Sequence, residues 1–334
     1  MSNLPGWSYD ESPFHAGEQS IQCRLGIREK MEAHGRIAIR NCMTEQQQTF
    51  YQNLPFVLVG SLDQSGQPWA SVLTNQPGFM HALDERQLRI DAMPAVTDPL
   101  HANLHMGAAL GLLGIEPPTR RRNRVNGMVS SVNENGLTVA VQRSFGNCPK
   151  YIQARAPSLI EASIQNKAGN PLVISSALDT AQQSMIRQAD TFYIASVLTD
   201  TAATTSSCPH RVDVSHRGGK PGFVRVDDAN TLIVPDFAGN NYFNTLGNLL
   251  LQPRAGLLFI DFEQGDLLYV AAQADIVWDG AEVAAYTGAQ RLLRLHVSQT
   301  RLIRQALPLR WSEADYSPFL QTMGSWVSCT QSHP

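Results

Sequence analysis

The chain has 334 residues, of which 43% are hydrophobic and 16% are charged, and its formal net charge is −3. This length predicts one large or two medium domains, and the apolar content excludes a wholly disordered protein. The small net charge excludes a global field that would recruit nucleic acid, and no apolar run approaches the ~20 residues of a membrane helix. Five scattered cysteines without a C-x-x-C pair argue against disulfides, structural zinc and an iron–sulfur cluster. We therefore expect a cytoplasmic protein that has no metal site and binds neither nucleic acid nor membrane.

The first part of the chain predicts helices followed by strands. Residues 1–16 are rich in Pro and Gly and predict an extended arm, and apolar residues among charged ones predict an amphipathic helix over 17–32. Thr44 and Gln47 have the spacing of a capping box, which predicts a short helix ending near Asn53. We then predict strands at about 55–62, 69–74, 87–92 and 108–115, a short helix at 98–104, a hairpin with arms 123–132 and 137–143, and a helix entered through SFGNCPKYIQ (144–153).

The second part predicts a similar series. Its segment from Arg211 to Leu249 predicts a strand, a kink at Gly218 and Gly219, a second strand, a turn, a third strand and a helix. The other predicted elements are a polar linker at 158–170, a helix at 178–189, a flexible loop at 202–209, and a strand from Arg291 followed by an irregular tail.

The two parts are copies of one another. PWASVLTNQPGFMHALDERQLRI (68–90) aligns without a gap with VDVSHRGGKPGFVRVDDANTLIV (212–234), and LGLLGI (110–115) aligns with AGLLFI (255–260). Such a repeat predicts two β-rich halves with one strand order, whose packing covers exposed sheet surface and whose seam can hold a ligand. The predicted division is an arm and helix (1–43), a first half (44–157), a linker and helix (158–184), and a second half with a C-terminal strand and tail (185–334).

A candidate anion site lies where the third strand of the Arg211–Leu249 segment runs into a helix. Short polar residues precede this helix, and a helix N-terminus offers free N–H groups and the positive end of a dipole. His216, Arg217 and Lys220 add basic side chains, so the segment indicates a flat, anionic ligand. The matching helix of the first half begins Pro99-Leu100-His101, which offers little to a phosphate. The second half is therefore the expected location.

Several segments resemble the FMN-binding split barrel of the pyridoxamine 5′-phosphate oxidase family, and more narrowly a larger bacterial subgroup with two tandem split-barrel units. The resemblance rests on SPFHAGE (12–18), LPFVLVGS (54–61), RRRNRVNG (120–127), SFGNCPKYIQ (144–153), VSHRGGKPGFVRV (214–226), DFAGNNYFNTLGNL (236–249) and NLLLQPRAGLLF (248–259). It implies a mainly β fold, a β-barrel with flanking helices, present as two tandem FMN-binding split barrels in one chain. It also implies FMN as cofactor, an FMN-dependent oxidoreductase acting on an unidentified small molecule or electron donor, and possible homodimer formation.

The resemblance places the flavin ring along the strand at 214–220 and the phosphate at the strand–helix junction 236–245. The cofactor-binding residues that it implies, with basic residues supplied across the seam, are Ser215, His216, Arg217, Gly218, Gly219, Lys220, Pro221, Asp236, Asn240, Asn241, Asn244, Thr245, Arg122 and Arg124. The chain departs from many relatives because Phe243-Asn244-Thr245 stands where they have Ser-Arg-Lys, so two cationic phosphate ligands are missing. Arg217, Lys220 or the run Arg120–Arg124 could compensate.

Other interpretations of the same residues stay open. Ser215–Arg217 could be the polar face of an edge strand, the asparagines ordinary helix-capping residues, and Arg120–Arg122 a solvated turn. The weak phosphate chemistry also suits a non-catalytic flavin- or haem-binding sensor, or a scaffold that has lost its ligand. No side chain requires a proton-transfer role, so the sequence assigns no catalytic residue.

Overall fold

The computed structural model describes residues 6–160, 170–199 and 210–326. The helices are α1 (Ala16–Arg24), α2 (Arg28–Ala38), α3 (Glu45–Gln52), α4 (Pro99–Asn103), α5 (Thr180–Gln188), α6 (Asn244–Leu251) and α7 (Ala281–Ala284). The strands are β1 (Phe56–Leu62), β2 (Pro68–Thr74), β3 (Met80–Asp84), β4 (Gln87–Ile90), β5 (Ala109–Glu116), β6 (Arg121–Asn133), β7 (Gly136–Asn147), β8 (Pro157–Leu159), β9 (Leu172–Ser175), β10 (Thr191–Thr199), β11 (His210–Gly218), β12 (Arg225–Val226), β13 (Thr231–Phe237), β14 (Arg254–Ile260), β15 (Leu267–Val277), β16 (Ala289–Ile303) and β17 (Leu309–Trp311). The chain is mainly β, as the sequence predicts.

Two large antiparallel sheets have the same strand order. The first runs β2-β1-β5-β6-β7-β4-β3 and the second β11-β10-β14-β15-β16-β13-β12, with β9 added beside β16. Each strand of the first sheet thus has a counterpart at the same place in the second. The repeat in the sequence is therefore a repeat in topology, and each half encloses an apolar cluster of its own.

A third apolar cluster fills the seam, the layer in which β1, β2 and β5 of the first half pack on β10, β11 and β14 of the second. Gly111 on β5 and Gly256 on β14, which are counterparts in the repeat, permit the closest approach of the backbones. A Cβ at Gly111 would lie 2.8 Å from the carbonyl oxygen of Val212, and one at Gly256 would lie 2.0 Å from that of Pro68. The halves are thus joined through backbone contacts as well as apolar side chains.

Several local predictions are confirmed. Thr44 and Gln47 form the predicted capping box of α3, and α5 begins after the cap Asp179. The segment from Arg211 folds as β11, β12, β13 and α6, and β11 ends at Gly218, where the kink is predicted. The hairpin of β6 and β7 forms around its Asn-Gly turn, with arms longer than predicted.

Other local predictions are wrong. The helix over 17–32 is two helices, because the chain turns at Gly26 in a left-handed conformation (φ 67°). No helix follows Pro149, because β7 stays paired with β6 as far as Asn147 and Tyr151 then adopts a positive φ of 67°. Strand β3 is absent from the sequence prediction.

Some predictions lie partly or wholly outside the described residues. They are the start of the N-terminal arm, most of the linker at 158–170, and the loop at 202–209. Among the described residues, no helix is both long and apolar enough to cross a membrane.

Candidate functional site at the seam

A cavity of about 100 Å³ lies where β6 of the first half meets β11 and α6 of the second. Most of the predicted cofactor-binding residues line it. The predicted residues in its wall are Arg122, Arg124, Ser215, His216, Arg217, Asp236, Asn240, Asn241, Asn244 and Thr245. The wall also contains Asn147, Phe237, Gly239, Phe243 and Leu246. Arg122 and Arg124 reach this segment from the first half, and their part in cofactor binding stays a prediction.

The remaining predicted residues lie to one side. Gly218 lines an adjoining cavity of about 70 Å³, which shares Arg122, His216 and Arg217 with the first. Lys220 donates from its ammonium to the carbonyl oxygen of Met323 at 2.6 Å. Gly219, which lies against the Phe223 ring, and the exposed Pro221 line neither cavity. Their part in cofactor binding stays a prediction.

Arg124 ties the two halves together at this cavity. Its guanidinium is buried and donates to the Val214 carbonyl at 3.0 Å, to Ser215 Oγ at 2.7 Å and to Asn244 Oδ1 at 2.8 Å. Nη1 also lies 3.0 Å from Oδ1 of the buried Asp213. Because Asp213 balances its charge, Arg124 holds the site in shape more than it attracts an anion. The sequence prediction missed Asp213.

A second charged group joins β11, β13 and β16. Asp236 accepts from Nη1 of Arg217, and its other oxygen lies 3.4 Å from Nε of Arg291. Arg291 is 2% exposed, and burial lowers its pKa. Nε of Arg217 and Nε and Nη1 of Arg291 have no hydrogen-bond partner among the described residues. One carboxylate therefore serves two guanidinium groups, which leaves excess positive charge. Arg291 is also absent from the predicted set, although the strand predicted to start there brings it opposite Asp236.

Arg122 is the third basic wall residue. Its Nε donates to the Cys148 carbonyl at 2.6 Å. Burial, together with the nearby Arg124 and Arg217, lowers its pKa to about 10. Arg122 is thus still charged at neutral pH. With Arg124 and Arg217, it brings three positively charged guanidinium groups to the wall of this cavity.

His216 lines both cavities as a neutral ring. It is 7% exposed, and its Nδ1 has no hydrogen-bond partner among the described residues. Burial, and then the charges of Arg122 and Arg217, hold its pKa well below the usual 6.5. A buried ring nitrogen without a partner carries a desolvation cost that a ligand atom could remove.

Helix α6 presents an N-terminus without a side-chain cap to the cavity. Phe243 occupies the N-cap position with a φ of 64° and supplies no capping atom. Asn244 is engaged on both sides of its amide, by Arg124 and by the buried Glu18 of α1. The first backbone N–H groups of a helix have no partner within the helix, so they and the dipole favour an anion here.

Comparison with known proteins gives a family match for part of the chain. Residues 43–166 match the family model for pyridoxamine 5′-phosphate oxidase. No curated protein matches the chain significantly.

Several solved structures are distantly similar to this chain. They include a putative pyridoxamine 5′-phosphate oxidase from Lactobacillus delbrueckii, with 18% identity, a TM-score of 0.26, and coverage of 32% of this chain and 95% of that one. HupZ of Group A Streptococcus has 14% identity, a TM-score of 0.28, and coverage of 37% and 92%. MrkH of K. pneumonia in complex with c-di-GMP has 6% identity, a TM-score of 0.22, and coverage of 78% and 87%. The match over residues 43–166 thus makes the first half of this chain similar to the pyridoxamine 5′-phosphate oxidase family.

Proposed function

We propose that this chain is an FMN-binding flavoprotein and an FMN-dependent oxidoreductase acting on a small molecule. The observation that carries the proposal is the convergence of Arg122, Arg217 and the uncapped N-terminus of α6 on one cavity. Charge-assisted hydrogen bonds from guanidinium groups and helix N–H groups are what a phosphate ester requires. Flavin binding is general in the family to which residues 43–166 are similar.

The donor set fits the phosphate end of FMN. Nε of Arg217 and Nδ1 of His216 are buried and have no hydrogen-bond partner among the described residues, and both residues line the cavity. The cavities of about 100 and 70 Å³ are each smaller than the roughly 300 Å³ at which ligand pockets usually begin. The enclosed space is therefore suited to the phosphate, and the ring system requires room beyond it.

Each side chain has a separate part in this proposal. Arg122, Arg217 and the backbone of α6 hold the phosphate, and Arg124 fixes α6 against β11 through Asn244 and Ser215. Bound FMN would supply the electron- and hydride-transfer chemistry. His216 stays neutral in the native state, so it can accept or donate one hydrogen bond without adding charge.

The same neutral His216 suits an axial ligand to haem iron, which is the alternative function on this fold. The enclosed volume around His216 is smaller than either a haem macrocycle or the flavin ring requires, so the absorption spectrum and not the volume distinguishes the two cofactors.

The first experiment is an absorption spectrum of the purified protein followed by titration with FMN. We expect a flavin spectrum, and its anaerobic bleaching by a reduced nicotinamide would support an oxidoreductase over a carrier. Arg217→Met should weaken FMN binding about 10- to 100-fold, since a hydrogen bond to a charged group is worth about 1.5–3 kcal/mol.

Arg225→Met is the matched control, because Arg225 lies on β12 outside the cavity wall and its guanidinium pairs with Asp227 and Glu282. A colourless protein without affinity for FMN would refute the proposal. A Soret band would favour haem.

A further inference from the structure

The first half contains a counterpart of the α6 site, and the chain fills it with its own carboxylate. Asp98 is the N-cap of α4 and is 7% exposed. Its Oδ1 accepts from the backbone N–H of Leu100 at 2.8 Å and from Ser71 Oγ at 2.6 Å. Its Oδ2 accepts from the hydroxyl of Tyr269, a residue of the second half, at 2.6 Å. Burial raises the pKa of this carboxyl group, and the three hydrogen bonds, all of them donated to it, act against that rise and favour the ionised form.

The repeat shows which residues correspond. Ser71 aligns with Ser215, and Asp98 and Phe243 are the N-cap residues of α4 and α6. Leu113 and Leu258 also align, and their partners across the ladder are Arg124 and Tyr269 respectively. Tyr269 therefore reaches across the seam to the first-half position as Arg124 does to the second.

The carboxylate comes from different elements in the two halves. In the second half it belongs to Asp213 on β11, which accepts from Ser215 Oγ at 3.0 Å and pairs with Arg124. The residue aligned with Asp213 is Trp69, and the N-cap residue that corresponds to Asp98 is Phe243. Acidic and aromatic residues have thus exchanged places between strand and helix. Each half keeps a buried carboxylate beside its serine, but only Asp98 also occupies the helix N-terminus.

We propose that Asp98 is a built-in anion that closes the first-half site, so that one chain takes one anionic ligand, at α6. The contacts of Asp98 also indicate where the ligand anion sits in the second half. The backbone N–H of Thr245, the second residue of α6, is the counterpart of the Leu100 N–H that Asp98 accepts. The statement about one ligand rests on the proposed function, whereas the role of Asp98 does not.

The test removes the Asp98 carboxylate by substitution and supplies a small carboxylate, formate, in solution. Asp98→Ala should lower the melting temperature by about 5–10 °C, because Ser71 and Tyr269 lose a buried acceptor. Sodium formate should restore much of this loss in a saturable way, while sodium chloride at equal ionic strength should not. Asp98→Asn is the control, since its amide fills the same space and leaves no room for formate. Wild type and Asp98→Asn should therefore show no specific response.

An Asp98→Ala protein that formate stabilises no better than chloride would overturn the proposal. If Asp98→Ala is recovered only as aggregate, its refolding yield in formate against chloride is the readout, and equal yields overturn the proposal in the same way.

Calorimetric titration of the wild type with FMN then counts sites. One site per chain that Arg217→Met weakens supports the inference, and two sites contradict it. No FMN binding with a positive formate response would remove the proposed function and leave the role of Asp98 standing.

Discussion

Replacing Arg124 with Met tests whether the contact across the seam is structural. The Arg124 and Asp213 side chains are each 4% exposed and lie 3.0 Å apart, so Arg124→Met leaves a carboxylate buried without its partner. Breaking a buried ion pair by removing one member costs about 3–5 kcal/mol, because the remaining charge stays desolvated. The hydrogen bonds to Ser215 and Asn244 are lost at the same time.

The assay is urea unfolding followed by circular dichroism, with Arg124→Met, Asp213→Asn and the double variant compared in one cycle. The double variant should be more stable than Arg124→Met, because it has no buried charge without a partner. Arg86→Met is the control. Its ion pair with Glu85 is about half exposed on both sides and should be worth about 0–1 kcal/mol. The reasoning would be refuted if Arg124→Met lost no more stability than Arg86→Met. It would also be refuted if the double variant lost as much stability as the two single variants added together.

Two further predictions concern His216 and the seam. The pKa of His216 is lower in the folded state than in the unfolded state. This difference does not affect the free energy of unfolding above about pH 6.5, and it lowers that free energy as the pH falls below about 6.5, because only the unfolded state then takes up the proton. The wild type should therefore lose about 1.4 kcal/mol more unfolding free energy than His216→Asn when the pH falls from about 7.5 to about 5.5. Urea unfolding at each pH measures this difference, and identical pH profiles of the two proteins would contradict the assignment. Gly256→Ala places a Cβ 2.0 Å from a backbone oxygen and should cost about 1–3 kcal/mol in the same assay, whereas Gly239→Ala, where the added Cβ meets open space, should be near neutral. Equal effects of the two alanines would mean that the halves do not pack as closely as the structure shows.

The sequence predicted that the two halves share one strand order, because the repeat supplied two copies of the same pattern. Apolar alternation and turn residues identified most strands in each half, and the capping box at Thr44 marked the start of α3. Errors arose where long-range pairing outweighed local preference. Pro149 is a good first residue for a helix, but the β6–β7 ladder extends to Asn147 and fixes the chain that follows.

The candidate site was only partly predictable for a related reason. The residues of β11 and of the α6 N-terminus lie in one segment that resembles a known family, and the resemblance grouped them although β11 and β13 stand far apart in the order of the second sheet. Asp213 and Arg291 were missed because their roles depend on partners from other strands. Asp213 occupies a polar position in an alternating strand, where exposure to solvent is the usual expectation, yet its side chain is buried and lies 3.0 Å from Arg124 of the first half.

The exchange of acidic and aromatic residues between the halves explains why a repeated fold need not repeat its site. A buried serine hydroxyl and a helix N-terminus both require an acceptor, and a carboxylate at the N-cap, as in Asp98, satisfies both at once. Moving the acid to the strand, as in Asp213, satisfies the serine and leaves the helix N–H groups uncovered. Phe243 at the N-cap cannot replace the missing acceptor, so water or an anion from solution has to cover those groups. The exchange at the positions of Asp98 and Trp69 therefore leaves α4 with a carboxylate cap and α6 without a side-chain cap, while both sheets keep the same strand order.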